Sequence, residues 1–383
     1  MNPAPPLGVY VHWPYCSRIC PYCDFNVVRD RGRSAQQGGL VDAIEQDLEA
    51  HRRLTGPRRL ISVFFGGGTP SLMDPAWTAR LVTTARTLWE ADEDLEVTLE
   101  ANPTDAEAER FAGFAAAGVG RLSLGAQSFD DAALAFLGRN HGAAEALRAA
   151  EQAAAVFPRR SIDLIYARPG QTEPAWTRDL ETAVALGPEH ISPYQLTIES
   201  GTAFGRAVER RRWAPPDPDL AAALYATTQT VLERHGYDAY EVSNHARGVA
   251  ARSRHNLLYW RGHDYLGVGP GAHGRITLEQ GRAATRAAAG IDDYVGRVGE
   301  TGRGWERNEI LSPLQVAEER LLTGLRTREG VAIADLGPLS LARLADLIDA
   351  GLVARTTETL IATESGRLVL DRLTAELAAQ ERV

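Results

Sequence analysis

The chain has 383 residues, enough for one large and one smaller domain, and its 44% apolar and 24% charged residues are typical of a globular protein. It has no uninterrupted apolar run of about 18 residues, so we expect no membrane span, and its net charge of -9 gives no electrostatic reason to expect a nucleic acid partner. All 41 basic residues are arginine, which excludes Schiff-base chemistry on lysine and a Walker-type phosphate-binding lysine.

The segment before the first predicted strand contains no basic region and no apolar signal core. A basic region followed by an apolar core is typical of the signal peptides of exported proteins. We therefore expect a cytoplasmic protein.

Short apolar runs alternate with longer segments of helical period over roughly the first 245 residues. The predicted strands are 8–12, 60–65, 95–100, 121–125, 162–166, 190–196 and 240–243. The predicted helices are 40–54, 77–89, 106–116, 143–154, 175–186 and 220–235. Repeated strand-helix units are typical of a parallel sheet with helices outside it. They predict an α/β fold, either an open doubly wound sheet or a full or partial barrel.

The pattern changes after Asn244, first to a glycine-rich irregular stretch and then to mainly helical sequence. We therefore predict a core domain over 1–245 and a C-terminal domain over 246–383. Near the end, a helix over 339–350 and a hairpin of 352–355 with 359–363 predict a winged-helix-like module. Acidic residues outnumber arginines in this region, so we do not expect this module to bind DNA.

All three cysteines lie in the run Cys16-Ser-Arg-Ile-Cys20-Pro-Tyr-Cys23, just after the first predicted strand. An odd, clustered number favours metal binding over a disulfide framework. Structural zinc needs a fourth ligand, and the nearest candidate, His12, has a spacing unlike the common zinc patterns. The C-x3-C-x2-C spacing lets one loop direct three thiolates at three irons of a cubane and leaves the fourth iron open. We predict a [4Fe-4S] cluster here, with a zinc-stabilised interaction module as an alternative.

At these residues, with the aromatic Tyr22 before the last cysteine, the chain resembles the radical SAM superfamily. The resemblance implies that S-adenosylmethionine (SAM) chelates the open iron through its amino and carboxylate groups. Electron transfer can then cleave SAM to a radical, so the cofactor supplies the difficult chemistry and the protein positions it.

Glycine-rich and polar motifs follow the later predicted strands. They are Gly66-Gly-Gly-Thr-Pro70, Glu-Ala-Asn-Pro, Gly-Ala-Gln-Ser-Phe, Leu-Gly-Arg-Asn-His and Ile-Asp-Leu-Ile-Tyr. Singly, each is typical of a turn, a cap or a surface position. In this order they resemble the coproporphyrinogen-oxidase-like (HemN-like) branch of the superfamily. That resemblance implies that the residues contacting SAM are Tyr10, Gly67, Gly68, Thr69, Glu100, Gln127, Arg139 and Asp163.

Two other segments bear on this interpretation. The branch usually has Tyr-Gly-Leu-Pro-Gly where this chain has Tyr166-Ala-Arg-Pro-Gly170. We expect this difference to affect the local packing and not the assignment of Asp163. The run Gly269-Pro-Gly-Ala-His-Gly274 matches a dinucleotide-binding pattern. Because Pro270 lies inside it and no clear helix follows, we predict a structural loop.

Two groups within the branch differ near the cysteines. In the oxygen-independent coproporphyrinogen III oxidases the run continues as Cys-x-x-Cys-x-Cys after a longer N-terminal extension. Here Phe25 stands in place of the fourth cysteine, and the first strand begins by about residue 8. The later run His255-Asn-Leu-Leu-Tyr259-Trp260 instead resembles a motif of the HemW heme chaperone family.

A neutral imidazole is a common axial ligand of heme iron, and aromatic rings can flank a porphyrin. The resemblance therefore implies a heme site at His255, Tyr259 and Trp260. Alternatively, His255 is a hydrogen-bonded histidine in an aromatic domain junction. In that case His245 or His273 could serve as the heme ligand.

We predict a cytoplasmic heme chaperone with a [4Fe-4S] cluster, SAM and heme as cofactors. Its fold is predicted to be an incomplete parallel (β/α) radical SAM barrel with a smaller, mainly helical C-terminal domain. The alternative is an oxygen-independent coproporphyrinogen III oxidase or a related radical SAM tetrapyrrole oxidoreductase. The resemblance implies several partners: heme, heme-accepting proteins such as membrane respiratory enzymes, an electron donor and a second copy in a homodimer.

Overall fold

A computed structural model describes residues 4–337, 339 and 341–378. The strands are β1 (Pro6–Trp13), β2 (Tyr15–Cys16), β3 (Val28–Arg29), β4 (Arg59–Gly67), β5 (Glu90–Ala101), β6 (Arg121–Gln127), β7 (Arg159–Tyr166), β8 (His190–Gln195), β9 (Asp238–Glu241), β10 (Asn244–Ala246), β11 (Asp264–Val268), β12 (His273–Leu278), β13 (Gly281–Ala287), β14 (Trp305–Ile310), β15 (Val331–Ala332), β16 (Val353–Arg355) and β17 (Thr359–Ala362).

The α-helices are α1 (Ser34–Thr55), α2 (Pro75–Leu88), α3 (Asp105–Ala108), α4 (Phe111–Ala116), α5 (Asp131–Phe136), α6 (Ala143–Val156), α7 (Glu173–Ala185), α8 (Ala203–Glu209), α9 (Pro218–Arg234), α10 (Arg254–Trp260), α11 (Ile291–Thr301), α12 (Pro313–Gly324), α13 (Leu344–Asp349), α14 (Glu364–Arg367) and α15 (Leu370–Ala378). Among the described helices, none combines the length and hydropathy that a membrane crossing needs.

A twelve-stranded sheet organises most of the chain, in the spatial order β14-β13-β12-β11-β1-β4-β5-β6-β7-β8-β10-β9. Neighbouring strands from β11 to β8 are parallel, whereas the strands at both ends are antiparallel. Helices connect the parallel strands and cover their apolar side. The sheet's two edge strands do not pair with each other, so the predicted α/β incomplete barrel is confirmed.

Every predicted strand of the first 245 residues is present, but several helices begin earlier than predicted. Helices α2 and α9 begin at Pro75 and Pro218, each preceded by an aspartate whose side chain accepts a hydrogen bond from a first-turn N–H. The single helix predicted over 106–116 is wrong. Two short helices, α3 and α4, occupy that stretch, and Arg110 between them donates to the carbonyl oxygens of Ser71 and Met73.

The chain after residue 246 extends the same sheet before it forms a second core. Strands β11 to β14 pair onward from β1, and the buried Leu266, Val268 and Tyr294 pack into the main core. A separate buried cluster spans 317–377 and includes the three-stranded sheet β15-β17-β16. The predicted hairpin is present, and helix α13 begins later than the predicted 339. The domain boundary at 245/246 stays a prediction.

Candidate functional site

A cavity of about 610 Å³ opens at the carboxyl ends of the parallel strands. In a parallel sheet these ends meet at one edge, where α/β proteins build their sites. The cavity is lined by every residue predicted to bind the cluster or SAM: Cys16, Cys20, Cys23, Tyr10, Gly67, Gly68, Thr69, Glu100, Gln127, Arg139 and Asp163. His255 and Tyr259 line it as well. The structure therefore brings the motifs predicted separately into one site.

The cysteine loop connects β2 to β3, which pair with each other. Its central turn is closed by the Cys23 N–H, which donates to the Cys20 carbonyl at 3.2 Å. A 2.9 Å hydrogen bond from the Phe204 N–H to the Pro21 carbonyl anchors it on the far side. Cys16 is buried and the other two cysteines are half-buried. The loop therefore holds three free thiols on the cavity wall.

The thiols suit metal binding coupled to proton release. Burial raises the pKa of the Cys16 thiol to about 11, although a hydrogen bond with Thr69 acts in the opposite direction. Burial also raises the pKa of Cys23. Protonated thiols must ionise to bind iron, so loading a cluster should release protons. Among the described residues, no three His, Cys, Asp or Glu side chains converge on a single ion. In a cubane the cysteines bind different irons, so such convergence is not required.

Arg139 ties the cysteine loop to the strand ends. One guanidinium nitrogen lies 3.3 Å from Cys20 Sγ, and the other donates to Asn102 and to the Gly125 carbonyl. Asn102 in turn donates to Thr69 Oγ1 at 3.2 Å. The guanidinium places a positive charge beside the loop, and this charge opposes the effect of burial on the pKa of Cys16 and Cys23. Asn102 was not among the predicted site residues, although its Glu-Ala-Asn-Pro motif was the available signal.

The glycine turn after β4 packs against the segment that leads to the first cysteine. Gly67 has a φ of +105°, and a Cβ there would lie 2.5 Å from the His12 ring. A Cβ on Gly68 would lie 2.7 Å from the Tyr15 carbonyl oxygen and 2.8 Å from that of Trp13. Only glycine at both positions allows the turn to lie this close to β1 and β2.

We expect Gly68→Ala to destabilise the protein by about 1–3 kcal/mol and to lower the iron bound on reconstitution, because its methyl group would push on the backbone next to Cys16. Gly39→Ala is the matched control. Gly39 lies in α1, and apart from its chain neighbours and its own helix backbone no atom of the described residues lies within 4 Å of an added Cβ. Alanine there should therefore stabilise the helix by about 0.5–1 kcal/mol. Denaturant unfolding and iron analysis test both, and equal behaviour of the two variants would contradict this account.

Two half-buried carboxyl groups, Glu100 and Asp163, line the inner part of the cavity. Burial, reinforced by the charge of Asp163, raises the pKa of Glu100 to about 7, while the Gly67 N–H and Arg121 act in the opposite direction. Burial also raises the pKa of Asp163, which accepts hydrogen bonds from Ser123 at 2.8 Å and Ser161 at 3.0 Å. The pair therefore forms an anionic region whose charge changes near neutral pH.

Arg121 is a cavity residue that the sequence interpretation missed. It is 2% exposed, and its Nε has no hydrogen-bond partner among the described residues. Its charge helps to lower the pKa of Glu96 and opposes the larger effect of burial, which raises the pKa of Glu100 and of Asp163. The alternation of Arg121, Ser123 and Gln127 along β6 places all three on the cavity face. Period 2 in this strand was the signal that could have identified it.

Gln127 carries an unsatisfied polar atom at the cavity wall. Its Oε1 is buried without a hydrogen-bond partner, and its backbone has a φ of 67°. Buried polar groups are rarely left unpaired, and non-glycine residues with such a φ are concentrated at ligand sites. A polar ligand in the cavity would complete this residue's bonding, which fits SAM.

His255 is already hydrogen-bonded on both sides of its ring. Nδ1 lies 2.9 Å from Ser62 Oγ and Nε2 lies 2.6 Å from the Tyr259 hydroxyl, and the ring stacks on Phe64. Burial lowers the pKa of His255 to about 3, so the ring is neutral. An axial bond from Nε2 to heme iron requires the contact with Tyr259 to break. The hydrogen-bonded alternative therefore describes this histidine in the structure.

The remaining residues considered for heme or metal lie elsewhere. Among the described residues lining the cavity, Trp260 is missing, and its ring instead faces the guanidinium of Arg326 at 4.6 Å. His245 is buried against Gln229, and His273 lies in β12. Both ring nitrogens of His12 are engaged, with the Asn26 carbonyl and the Tyr10 hydroxyl.

The structure shows the conformation of the two segments that depart from family patterns, the run 166–170 and the glycine run beginning at Gly269. In the changed Tyr166-Ala-Arg-Pro-Gly170 run, Ala167 has a φ of 59° and the buried Arg168 pairs with Asp179 at 3.0 Å. The unusual arginine is therefore charge-balanced, and local packing is maintained. The glycine run beginning at Gly269 connects the antiparallel strands β11 and β12 and opens no helix, so it is a structural loop, as predicted.

The comparisons with known proteins agree with this geometry. The model of the Radical SAM superfamily matches residues 10–183. "Radical S-adenosyl methionine domain-containing protein 1, mitochondrial" of Mus musculus is 44% identical over 85% of this chain and 74% of its own length. "Heme chaperone HemW" of Escherichia coli is 36% identical over 96% of this chain and 97% of its own length. The solved E. coli coproporphyrinogen III oxidase (HemN) has a TM-score of 0.82 and 22% identity, covers 99% of this chain and 91% of its own, and shows likeness of fold alone.

Proposed function

Because the chain belongs to the radical SAM superfamily, among its HemW-like proteins, we propose that it is a heme chaperone that binds heme and passes it to heme-accepting proteins. The observation that carries the proposal is the similarity to relatives named heme chaperones over 94–98% of the chain in three bacteria. Membership of the superfamily implies a [4Fe-4S] cluster and SAM as cofactors. Heme is the cargo in this proposal.

In the proposed site, Cys16, Cys20 and Cys23 would hold three irons of the cluster, and the fourth iron would be open to SAM. When bound, the cluster supplies electrons and an open coordination position. The donor set fits, because three thiols share one loop and the positive charge of Arg139 lies 3.3 Å from Cys20 Sγ.

The SAM ligands proposed from the resemblance have complementary chemistry. SAM carries cationic sulfonium and amino groups, and Glu100 and Asp163 form an anionic inner region at the cavity. Gln127 offers its unpaired carbonyl oxygen, and the glycine turn with Thr69 permits close backbone approach. Tyr10 and Arg139 complete the proposed set.

We expect the reconstituted protein to bind heme saturably and to leave coproporphyrinogen III unconverted when SAM and a reductant are supplied. The oxidase reaction requires precise placement of the tetrapyrrole, and a misplacement of about 1 Å can lose two orders of magnitude in rate. Phe25 stands here where the oxidases have a further cysteine, and it is 61% exposed. Heme titration by Soret absorption and product analysis by chromatography measure the two activities.

Multiple turnovers to protoporphyrinogen IX would contradict the chaperone proposal and favour the oxidase. Bovine serum albumin, which binds heme without transferring it specifically, controls for passive exchange when a heme-free acceptor protein is added. The acceptors, including membrane respiratory enzymes, the electron donor, a homodimer and a cytoplasmic location remain parts of the proposal.

A further inference from the structure

Three large apolar side chains that line the cavity are strongly exposed. Ile19 and Phe25 belong to the cysteine loop and are 46% and 61% exposed, and Tyr194 at the end of β8 is 41% exposed. We call these three residues the apolar mouth. Exposed apolar groups that gather at one opening are typical of a ligand site, because their burial is favourable only when a partner covers them.

A cation lies beside the apolar mouth. Arg18 precedes Ile19, is exposed and also lines the cavity. It forms no ion pair with the part of the chain that the structure describes, and its guanidinium makes only a 3.5 Å contact with the Arg139 carbonyl. Apolar surface next to an unpaired guanidinium matches a ligand that is flat and apolar with carboxylates at its edge.

The inner and outer parts of the cavity therefore differ in chemistry. Glu100, Asp163 and Arg121 make the inner part charged, whereas the apolar mouth is formed by three large side chains. A polar, cationic cofactor suits the inner part, and a porphyrin macrocycle suits the outer part. His255 does not offer a free nitrogen to either ligand, since Ser62 and Tyr259 occupy both.

We propose that heme binds at the apolar mouth, with its macrocycle against Ile19, Phe25 and Tyr194 and a propionate on Arg18. This inference rests on the proposed heme chaperone function and adds the position of the cargo. Heme held there covers the route from the inner cavity to solvent. Bound heme should therefore slow the release of SAM.

The test compares heme affinity in reconstituted protein carrying Ile19→Ser and Phe25→Ser together with that in the wild-type protein. Loss of two apolar contacts should weaken heme binding at least about tenfold and leave iron content and SAM affinity unchanged. Leu322→Ser is the matched control, because Leu322 is 53% exposed but lies outside the cavity. His255→Gln should retain wild-type heme affinity.

Arg18→Gln tests the orientation of the ligand. It should weaken binding of heme several-fold and leave unchanged the binding of heme dimethyl ester, whose propionates carry no charge. Rapid mixing with excess unlabelled SAM then measures the release of radiolabelled SAM with and without heme, and slower release with heme supports the assignment.

The outcomes separate this inference from the function beneath it. Wild-type heme affinity in the double serine variant would overturn the apolar mouth as the heme site. A loss of heme binding in His255→Gln alone would overturn it too. Neither result would contradict the chaperone proposal. A wild-type protein without saturable heme binding would overturn the chaperone proposal itself.

Discussion

Replacing Cys16, Cys20 and Cys23 together by serine should reduce the iron bound after anaerobic reconstitution from about four per chain to almost none. The three thiols are the only cysteines of the chain, so no other thiolate can replace them. Serine hydroxyls do not ionise near neutral pH and are poor ligands for iron-sulfur clusters. Iron and sulfide analysis, together with absorption in the visible range, measures the loss.

The control for this variant is Ser17→Ala, which changes an exposed residue of the same loop and should retain the full iron content. Far-UV circular dichroism should be equal for both proteins, since the loop contributes little regular structure. A triple variant that kept its iron and its spectrum would refute the cluster assignment. Stoichiometric zinc without sulfide in the wild-type protein would instead favour the zinc-stabilised interaction module.

The parallel part of the fold was predictable because local and tertiary preferences agree there. Strand β1 is an apolar run buried along most of its length, and such runs are typical of parallel strands covered on both faces. The cysteine loop and the glycine turn follow consecutive parallel neighbours, so their proximity followed from topology alone. The early starts of α2 and α9 could have been read from the Asp-Pro pairs at each start.

The chain after residue 246 was less predictable because its contacts are nonlocal. Strand β11 pairs in parallel with β1, more than two hundred residues earlier, and β12 to β14 are partly exposed strands rich in arginine and small residues. Their sequence offers little apolar periodicity. The break between α3 and α4 likewise involves nonlocal contacts, because Arg110 at the break donates to the carbonyl oxygens of Ser71 and Met73 after β4.

Within the site, motif residues were predictable and their environment was not. The role of Arg121 depends on carboxylates from other strands, and the hydrogen bond to His255 Nδ1 comes from Ser62 on β4, whereas Nε2 bonds to Tyr259 one turn further along the same helix. A sequence pattern identifies a histidine between aromatic residues but does not say whether its nitrogens are free. That difference separates a potential heme ligand from a buried histidine of the barrel wall.

Lowering the pH from 8 to 6 should weaken SAM binding by about tenfold through Glu100, and Glu100→Gln should weaken it at pH 8 to a similar degree. Burial and Asp163 raise the pKa of Glu100 from 4.5 to about 7, so the carboxylate is mostly ionised at pH 8 and mostly protonated at pH 6. Only the ionised form attracts the cationic groups of SAM. Burial keeps His255 neutral throughout this range. Equilibrium dialysis with radiolabelled SAM measures the affinity.

The Gln variant also separates the titration of Glu100 from that of the SAM amino group. Any pH dependence of SAM affinity that comes from the amino group persists in the variant, whereas the part that comes from Glu100 disappears. Glu90→Gln, at the exposed start of the same strand, should behave as wild type.

The folded protein holds the Glu100 proton more tightly than the unfolded chain, so its contribution to stability falls as the pH rises from 4.5 through 7. Glu100→Gln should therefore raise the free energy of unfolding at pH 8, on the order of 2 kcal/mol, while SAM affinity falls. Parallel losses of stability and SAM affinity would instead show that Glu100 is a structural residue outside the SAM site.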